Sequence, residues 1–172
     1  MEKIISLDYF FTNLLNKLIP HNTFFDYLFS FFSMKGGLVL IWIAIIVLLI
    51  IFEEKINKKF ILYFLVALGI TSIIVFGLKN TVKKVRPTTV CEKGFSFPSG
   101  HASTAFAAAV ILSAFDKKRR WFYYTVAILI SYSRIYLGCH YFLDVVTGAI
   151  IGYIISRALL FVRGTFPFHK KS

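Results

Sequence analysis

The sequence predicts an all-α protein, a polytopic transmembrane helix bundle, and three observations predict it. Of its 172 residues 58% are hydrophobic and the mean hydropathy is +0.73, more apolar surface than one soluble core of this size hides. Five apolar stretches recur, at 36–52, 60–78, 102–115, 121–137 and 143–162, against the roughly 20 residues a bilayer crossing requires. The basic residues, which give a net charge of +12, are sorted by membrane side. At this length one domain is expected, with an N-terminal segment over 1–35, a membrane core over 36–163 and a basic tail over 164–172.

Residues 1–19 differ from the five stretches. Ile4, Leu7, Phe11, Leu14 and Leu18 recur at helical spacing, flanked by Ile5, Phe10 and Leu15, while Glu2, Lys3, Ser6, Asp8, Asn13 and Lys17 fall elsewhere. This pattern predicts an amphipathic helix lying in the membrane interface; the plainer alternative is a helix packed on the bundle. Pro20 ends it, and TFFDYLFSFF reads as a second short interfacial segment. No charged start, short apolar core and small-residue cleavage site occur together near the N-terminus, so no removable signal peptide is expected.

If the five stretches alternate in direction, Lys55, Lys58, Lys59, Lys117, Lys118, Arg119, Arg120, Arg163, Lys170 and Lys171 share one face, half of the 20 Lys and Arg. That face is expected to be cytoplasmic by the positive-inside rule. No basic stretch is interleaved with aromatic residues on a soluble surface, which argues against a nucleic-acid partner. The opposite face receives the end of the second stretch, the start of the third and the turn between the fourth and fifth. The unusual polar residues all map there.

The second stretch ends in LKNTVKKVRP. Lys79, Lys83 and Arg86 are spaced i, i+4, i+7, so a continuing helix places them on one face, with Pro87 biasing the chain to leave the helix near Arg86. Three cations on one stripe repel unless an anion joins them; headgroup snorkelling is the bland reading of the same residues. Next, FSFPSGH at 95–101 opens the third stretch as a helix start near Pro98 or Ser99. A helix N-terminus offers unpaired backbone N–H groups to an anion, and His101 stands in its first turn. Gly138 ends the fourth stretch and His140 begins the fifth, four residues ahead of Asp144. That spacing brings imidazole and carboxylate within reach, and a carboxylate fixes the tautomer of an attacking imidazole. Arg134 supplies a forked donor suited to phosphate oxygens. Ionisable groups placed so deep in an apolar chain mark a functional site, and cations, a helix N-terminus and two histidines suit a phosphoryl group undergoing substitution.

These blocks, Lys79 to Arg86-Pro87, Pro98-Ser99-Gly100-His101, and Ser133-Arg134 to His140 to Asp144, are similar to the K-x6-R-P, P-S-G-H and S-R-x5-H-x3-D blocks of the type 2 phosphatidic acid phosphatase family. That family shares its site design with vanadium-dependent haloperoxidases. The resemblance covers roughly residues 36–163. It implies His140 as the nucleophile that forms a phosphohistidine, Asp144 as its orienting partner, and His101 as general acid and then general base. Lys79, Arg86, Ser99, the Gly100 amide and Arg134 would surround the phosphoryl oxygens. The family site needs no metal or other cofactor; a metal held by His101, His140 and Asp144 is the alternative, and it leaves three nearby cations unexplained. The family core is described with six spans. Five are expected here, or six if residues 1–35 cross.

The resemblance further implies a bacterial inner-membrane protein with its site on the periplasmic face, embedded in the bilayer beside its lipid phosphate substrate. Undecaprenyl pyrophosphate, phosphatidylglycerophosphate and lipid A phosphates are the expected substrate class, for the motifs hold the phosphate and not the tail. A phosphatase of water-soluble esters and a non-catalytic headgroup transporter or scramblase are the rival readings. Cys91 and Cys139 both fall on the extracytoplasmic side, where disulfides persist, so either they bridge or they are two packed free thiols.

Overall fold

In a computed structural model the structure describes residues 2–52, 59–88 and 94–165. Lys55, Lys58, Cys91, Lys170 and Lys171 of the sequence reading lie outside the described residues. Seven α-helices and one short 3-10 turn, with no strand among the described residues, make up the fold: α1 (Glu2–Asn16), α2 (Thr23–Ser33), α3 (Lys35–Phe52), α4 (Phe60–Val82), α5 (Gly100–Phe115), the 3-10 turn Lys117–Arg119, α6 (Arg120–Tyr136) and α7 (Phe142–Thr165). Every apolar stretch of the sequence is a helix. Phe60–Val82 and Phe142–Val162 are long and apolar enough to cross a membrane, while Val39–Phe52 and Gly100–Phe115 are shorter apolar helices.

Helix α5 is the centre of the bundle, flanked by α4, α6 and α7. Its sequence GHASTAFAAAVILSAF is rich in alanine, and Ala102, Ala105, Ala107, Ala108, Ala109, Val110, Ile111 and Leu112 are buried. Small side chains let neighbouring backbones approach, which is how helices associate where lipid removes the hydrophobic drive. Along α7 the approach is closest at Gly148 and Gly152, one turn apart. A Cβ at Gly148 would lie 2.5 Å from the Ser99 carbonyl oxygen, and one at Gly152 would lie 2.0 Å from that of Ser103. The far end of α5 is pinned by Asp116, which accepts hydrogen bonds from Tyr123 Oη at 2.5 Å and Arg119 Nη1 at 2.8 Å.

The N-terminal helix is amphipathic, as the sequence predicts. Ile4, Ile5, Leu7, Phe10, Leu14 and Leu18 face outward, and Asp8 and Thr12 are buried. The polar stripe Asp8, Thr12, Asn16 therefore faces the protein. Asp8 Oδ1 accepts the Leu143 N–H at 2.8 Å and Thr12 Oγ1 the Phe142 N–H at 2.9 Å, both at the start of α7. Asn16 Nδ2 donates to the Ile135 and Tyr136 carbonyls at 3.0 and 2.7 Å, at the end of α6. Helix ends leave unpaired backbone groups, each costing about 1–3 kcal/mol if buried without a partner. One helix supplies the missing partners for two others. Helix α1 ends at Asn16, four residues before Pro20. The segment TFFDYLFSFF, read from the sequence as a second short interfacial segment, is helix α2, started by the Asn22 side chain accepting the Phe25 N–H at 3.0 Å.

Gly152→Ala forces a methyl into the Ser103 carbonyl and should lower the melting temperature of the detergent-solubilised protein by the equivalent of about 1–3 kcal/mol or more. Gly69→Ala, where a Cβ meets nothing within 4 Å, should leave it unchanged or raise it. Equal melting of Gly152→Ala and wild type would show that the α5–α7 seam is not closed as described.

Candidate active site

Four helix ends meet at one rim of the bundle: the end of α4, the start of α5, the end of α6 and the start of α7. At the first of these the sequence expectation needs correcting. Helix α4 stops at Val82, because Lys83 adopts the left-handed conformation (φ 52°, ψ 33°) that closes a helix. Lys79, Lys83 and Arg86 thus do not form one helical stripe. Lys83 points to the exterior and is exposed, and the reversed chain turns Lys84 inward in its place.

Lys79, in the last turn of α4, donates to the Phe95 carbonyl at 2.7 Å and to that of Ser96 at 3.3 Å. Buried Arg86 donates from Nε to Gly94 O and from Nη1 to Cys139 O, each at 3.1 Å, so one guanidinium joins the loop before α5 to the loop before α7. Ser99 caps α5, its hydroxyl accepting the Ala102 N–H, and its own N–H reaches the Asp144 carbonyl at 2.9 Å. The PSGH block and the S-R-x5-H-x3-D block are thereby held together through backbone. His101 opens, with Lys79, Gly100, Ser72 and Thr104, onto a cleft of about 340 Å³ between α4 and α5.

His140 does not begin α7. It lies in the turn made by Gly138 (φ 68°), two residues ahead of Phe142, with its N–H and that of Cys139 bonded to the Arg134 carbonyl at 3.1 and 2.9 Å. The imidazole is 1% exposed. Its Nε2 lies 3.1 Å from Arg86 Nη1, and a guanidinium can only donate, so Nε2 carries the lone pair. The proton is then on Nδ1, 3.6 Å from Asp144 Oδ2. This is the tautomer an attacking Nε2 requires. Burial first, and then the charges of Arg134, Arg86 and Lys79 against the opposing Asp144 contact, bring the His140 pKa down to about 4. The ring is neutral at pH 7, and three of the expected phosphate-binding cations act on it.

Asp144 is fully buried. Oδ2 accepts the Tyr141 N–H at 2.9 Å, closing the first turn of α7 as an acidic residue does at a helix start, and also the Ser96 hydroxyl. Oδ1 accepts Lys84 Nζ at 2.7 Å. Arg134 is 1% exposed and its Nη1 donates to the carbonyl at 2.9 Å, and to the hydroxyl, of Ser33 at the end of α2. Its charge reaches His140 while one arm is anchored elsewhere. Cys139 is buried and its thiol is not free, whereas Cys91 lies outside the described residues.

Sequence reasoning missed Lys84 and Ser96. Lys84 stands between the two motif cations, but which of two adjacent lysines faces inward is decided by where α4 ends. Ser96 sits in the quoted FSFPSGH, yet nothing in its spacing marks it as a partner of Asp144.

Residues 60–166 match the PAP2 superfamily. The chain is 35% identical over 147 residues to an undecaprenyl-diphosphatase of Sulfolobus acidocaldarius, covering 81% of this chain and 71% of the relative. It is 33% identical over 156 residues to a lipid A 4'-phosphatase of Bacteroides thetaiotaomicron, covering 77% and 67%. Among solved structures, Aquifex aeolicus LpxE superposes with a TM-score of 0.72 at 29% identity, over 90% of this chain and 94% of that one. A PAP2-type phosphatidylglycerolphosphate phosphatase from Bacillus subtilis shares the fold, with a TM-score of 0.74 at 22% identity over 98% and 90%. With the three motif blocks gathered at one rim and residues 60–166 matched, the chain belongs to the PAP2 superfamily.

Proposed function

We propose that the protein is an integral membrane phosphatase that removes the terminal phosphate of a bacterial envelope lipid through a phosphohistidine. The observation that carries the reading is the state of His140: a neutral ring, Nδ1 backed by Asp144, Nε2 bearing a lone pair and facing Arg86. Such a nucleophile beside fixed cations suits an anionic electrophile. In the first step His140 Nε2 bonds to phosphorus, the ester or anhydride P–O bond breaks, and His101 gives its proton to the leaving oxygen. In the second, His101 takes a proton from water, the hydroxide displaces Nε2 from phosphorus, and inorganic phosphate leaves. Lys79, Arg86, Arg134, Ser99 and the Gly100 amide are assigned to the phosphoryl oxygens, where the transition state concentrates charge.

Five spans, with the site on the extracytoplasmic face, fit the helix ends. Lys59 begins α4 and Lys117, Lys118, Arg119 and Arg120 join α5 to α6, all at the ends opposite the site, as the positive-inside rule requires of the cytoplasmic face. The outward apolar face of α1 suits a helix lying in the interface, with its polar stripe against the protein. A headgroup at that depth meets the cleft holding Lys79 and His101 with its tail still in lipid. The substrates named for the relatives, undecaprenyl diphosphate and lipid A 4'-phosphate, define the class proposed here, together with phosphatidylglycerophosphate.

Purified protein in detergent should release inorganic phosphate from a panel of these lipids, in the presence of EDTA, with inhibition by vanadate. His140→Ala should abolish turnover, and His101→Ala should lower kcat by about 10²–10⁴. Equal activity on water-soluble phosphate esters, or a requirement for added divalent metal, would overturn the lipid or the metal-free part of the reading. Protonation of His140 removes the attacking lone pair, and its pKa is depressed from 6.5 to about 4. The acid limb of kcat/KM that reports His140 should accordingly fall near pH 4 and not near 6.5. A Cys91–Cys139 bridge belongs to the same reading; alkylated protein should differ in intact mass with and without prior reduction, and identical masses would exclude it.

A further inference from the structure

The charge on Asp144 is set by two residues that the three motif patterns do not specify, Lys84 and Asp8. Lys84 Nζ lies 2.7 Å from Asp144 Oδ1 and 2.8 Å from Asp8 Oδ2, so a single ammonium bridges the buried carboxylate of α7 to a buried carboxylate of α1. The bridge is built on every side. Asp8 is fixed through its other oxygen by the Leu143 N–H at 2.8 Å, one residue before Asp144. The ammonium also lies 4.3 Å from the centre of the Tyr141 ring, whose hydroxyl meets that of Tyr9 at 3.2 Å. The Lys84 side chain is 30% exposed and those of Asp8 and Asp144 are 6% and 0%. The flexible stem of a lysine lets its ammonium sit in several places, and a second buried carboxylate, that of Asp8, narrows the choice to the position over Asp144.

We propose that Asp8 and Lys84 are positioning residues for the proposed reaction, Asp8 of α1 holding Lys84 on Asp144 so that docking of the N-terminal helix sets the orientation and proton affinity of the His140–Asp144 pair. The inference rests on the phosphohistidine reading above. The groups bearing on this pair are Lys79 of α4, Lys84 and Arg86 of the segment after α4, Arg134 of α6, and Asp8, Tyr9 and Tyr141. Of these only Lys84 touches the Asp144 carboxylate as a cation. By offsetting the aspartate's field its charge opposes protonation of His140, so losing it raises the proton affinity of the imidazole.

The test compares Lys84→Met, Asp8→Asn, the double variant and Lys84→Arg as full-length protein in detergent. It reads kcat, KM and the pH profile of kcat/KM on one lipid phosphate. Each single variant should lose kcat on the order of tenfold with KM little changed, and its acid limb should move up by about one pH unit or more. The double variant should be no worse than the poorer single one, because both act through one ammonium. Lys84→Arg should keep the wild-type profile. Asp8→Asn retains the oxygen that meets Leu143 N–H, so it carries the test alone if Lys84→Met does not fold. Unchanged pH profiles in the single variants, or additive losses in the double, would overturn the inference, even where stability falls. Failure of the wild type to release phosphate would overturn the underlying reading instead, so the two failures are distinct.

Discussion

A carboxylate with no exposure to water, that of Asp144, is the constraint around which this rim is built. An ion in that position is tolerated only with its acceptor capacity filled, and here a backbone N–H, a hydroxyl, an ammonium and an imidazole share the work. The donors come from three parts of the chain: the turn between α6 and α7, which supplies both His140 and Tyr141, the loop before α5 and the segment after α4. Satisfying one buried charge thus brings the three motif blocks together, which is a packing requirement before it is a catalytic one.

The same economy governs the helix ends. Four helices stop or start at the rim, each leaving backbone groups that need partners, and the partners are the residues that give the site its character. Ser99 caps α5, Asp144 closes the first turn of α7, and Asp8, Thr12 and Asn16 of α1 meet the remaining groups of α6 and α7. Without α1 the ends of α6 and α7 on either side of the His140 turn would lose these partners. As a PAP2 lipid phosphatase the chain uses its N-terminal helix as structural support for the rim.

Much of this was legible in the sequence, and what was not has identifiable causes. The apolar stretches became helices because their composition leaves no alternative in lipid. Gly138 and the PSGH start were readable because glycine and serine at helix ends carry specific backbone meaning. The failure at Lys83 and Lys84 came from extending α4 by periodicity through a residue that takes the left-handed conformation, which lysine does not advertise. For α1 the amphipathic pattern was clear, but the pattern alone cannot say that its polar stripe faces the protein and its apolar face the exterior, since a membrane reverses the usual sense. Gly148 and Gly152 escaped notice because a glycine's value there lies in what its neighbour needs, the backbone of α5, and that neighbour is some fifty residues away.

The glycine seam between α5 and α7 also limits how the bundle can breathe. Where two helices meet backbone to backbone there is no side chain to swing aside, so the pair shifts as a single rigid beam or stays still. The cleft between α4 and α5 is different, bordered on the α4 side by the side chains of Ser72, Val75 and Phe76. Compliance is therefore one-sided: the wall carrying Asp144 keeps its shape, and accommodation of lipids of differing bulk falls to the α4 side.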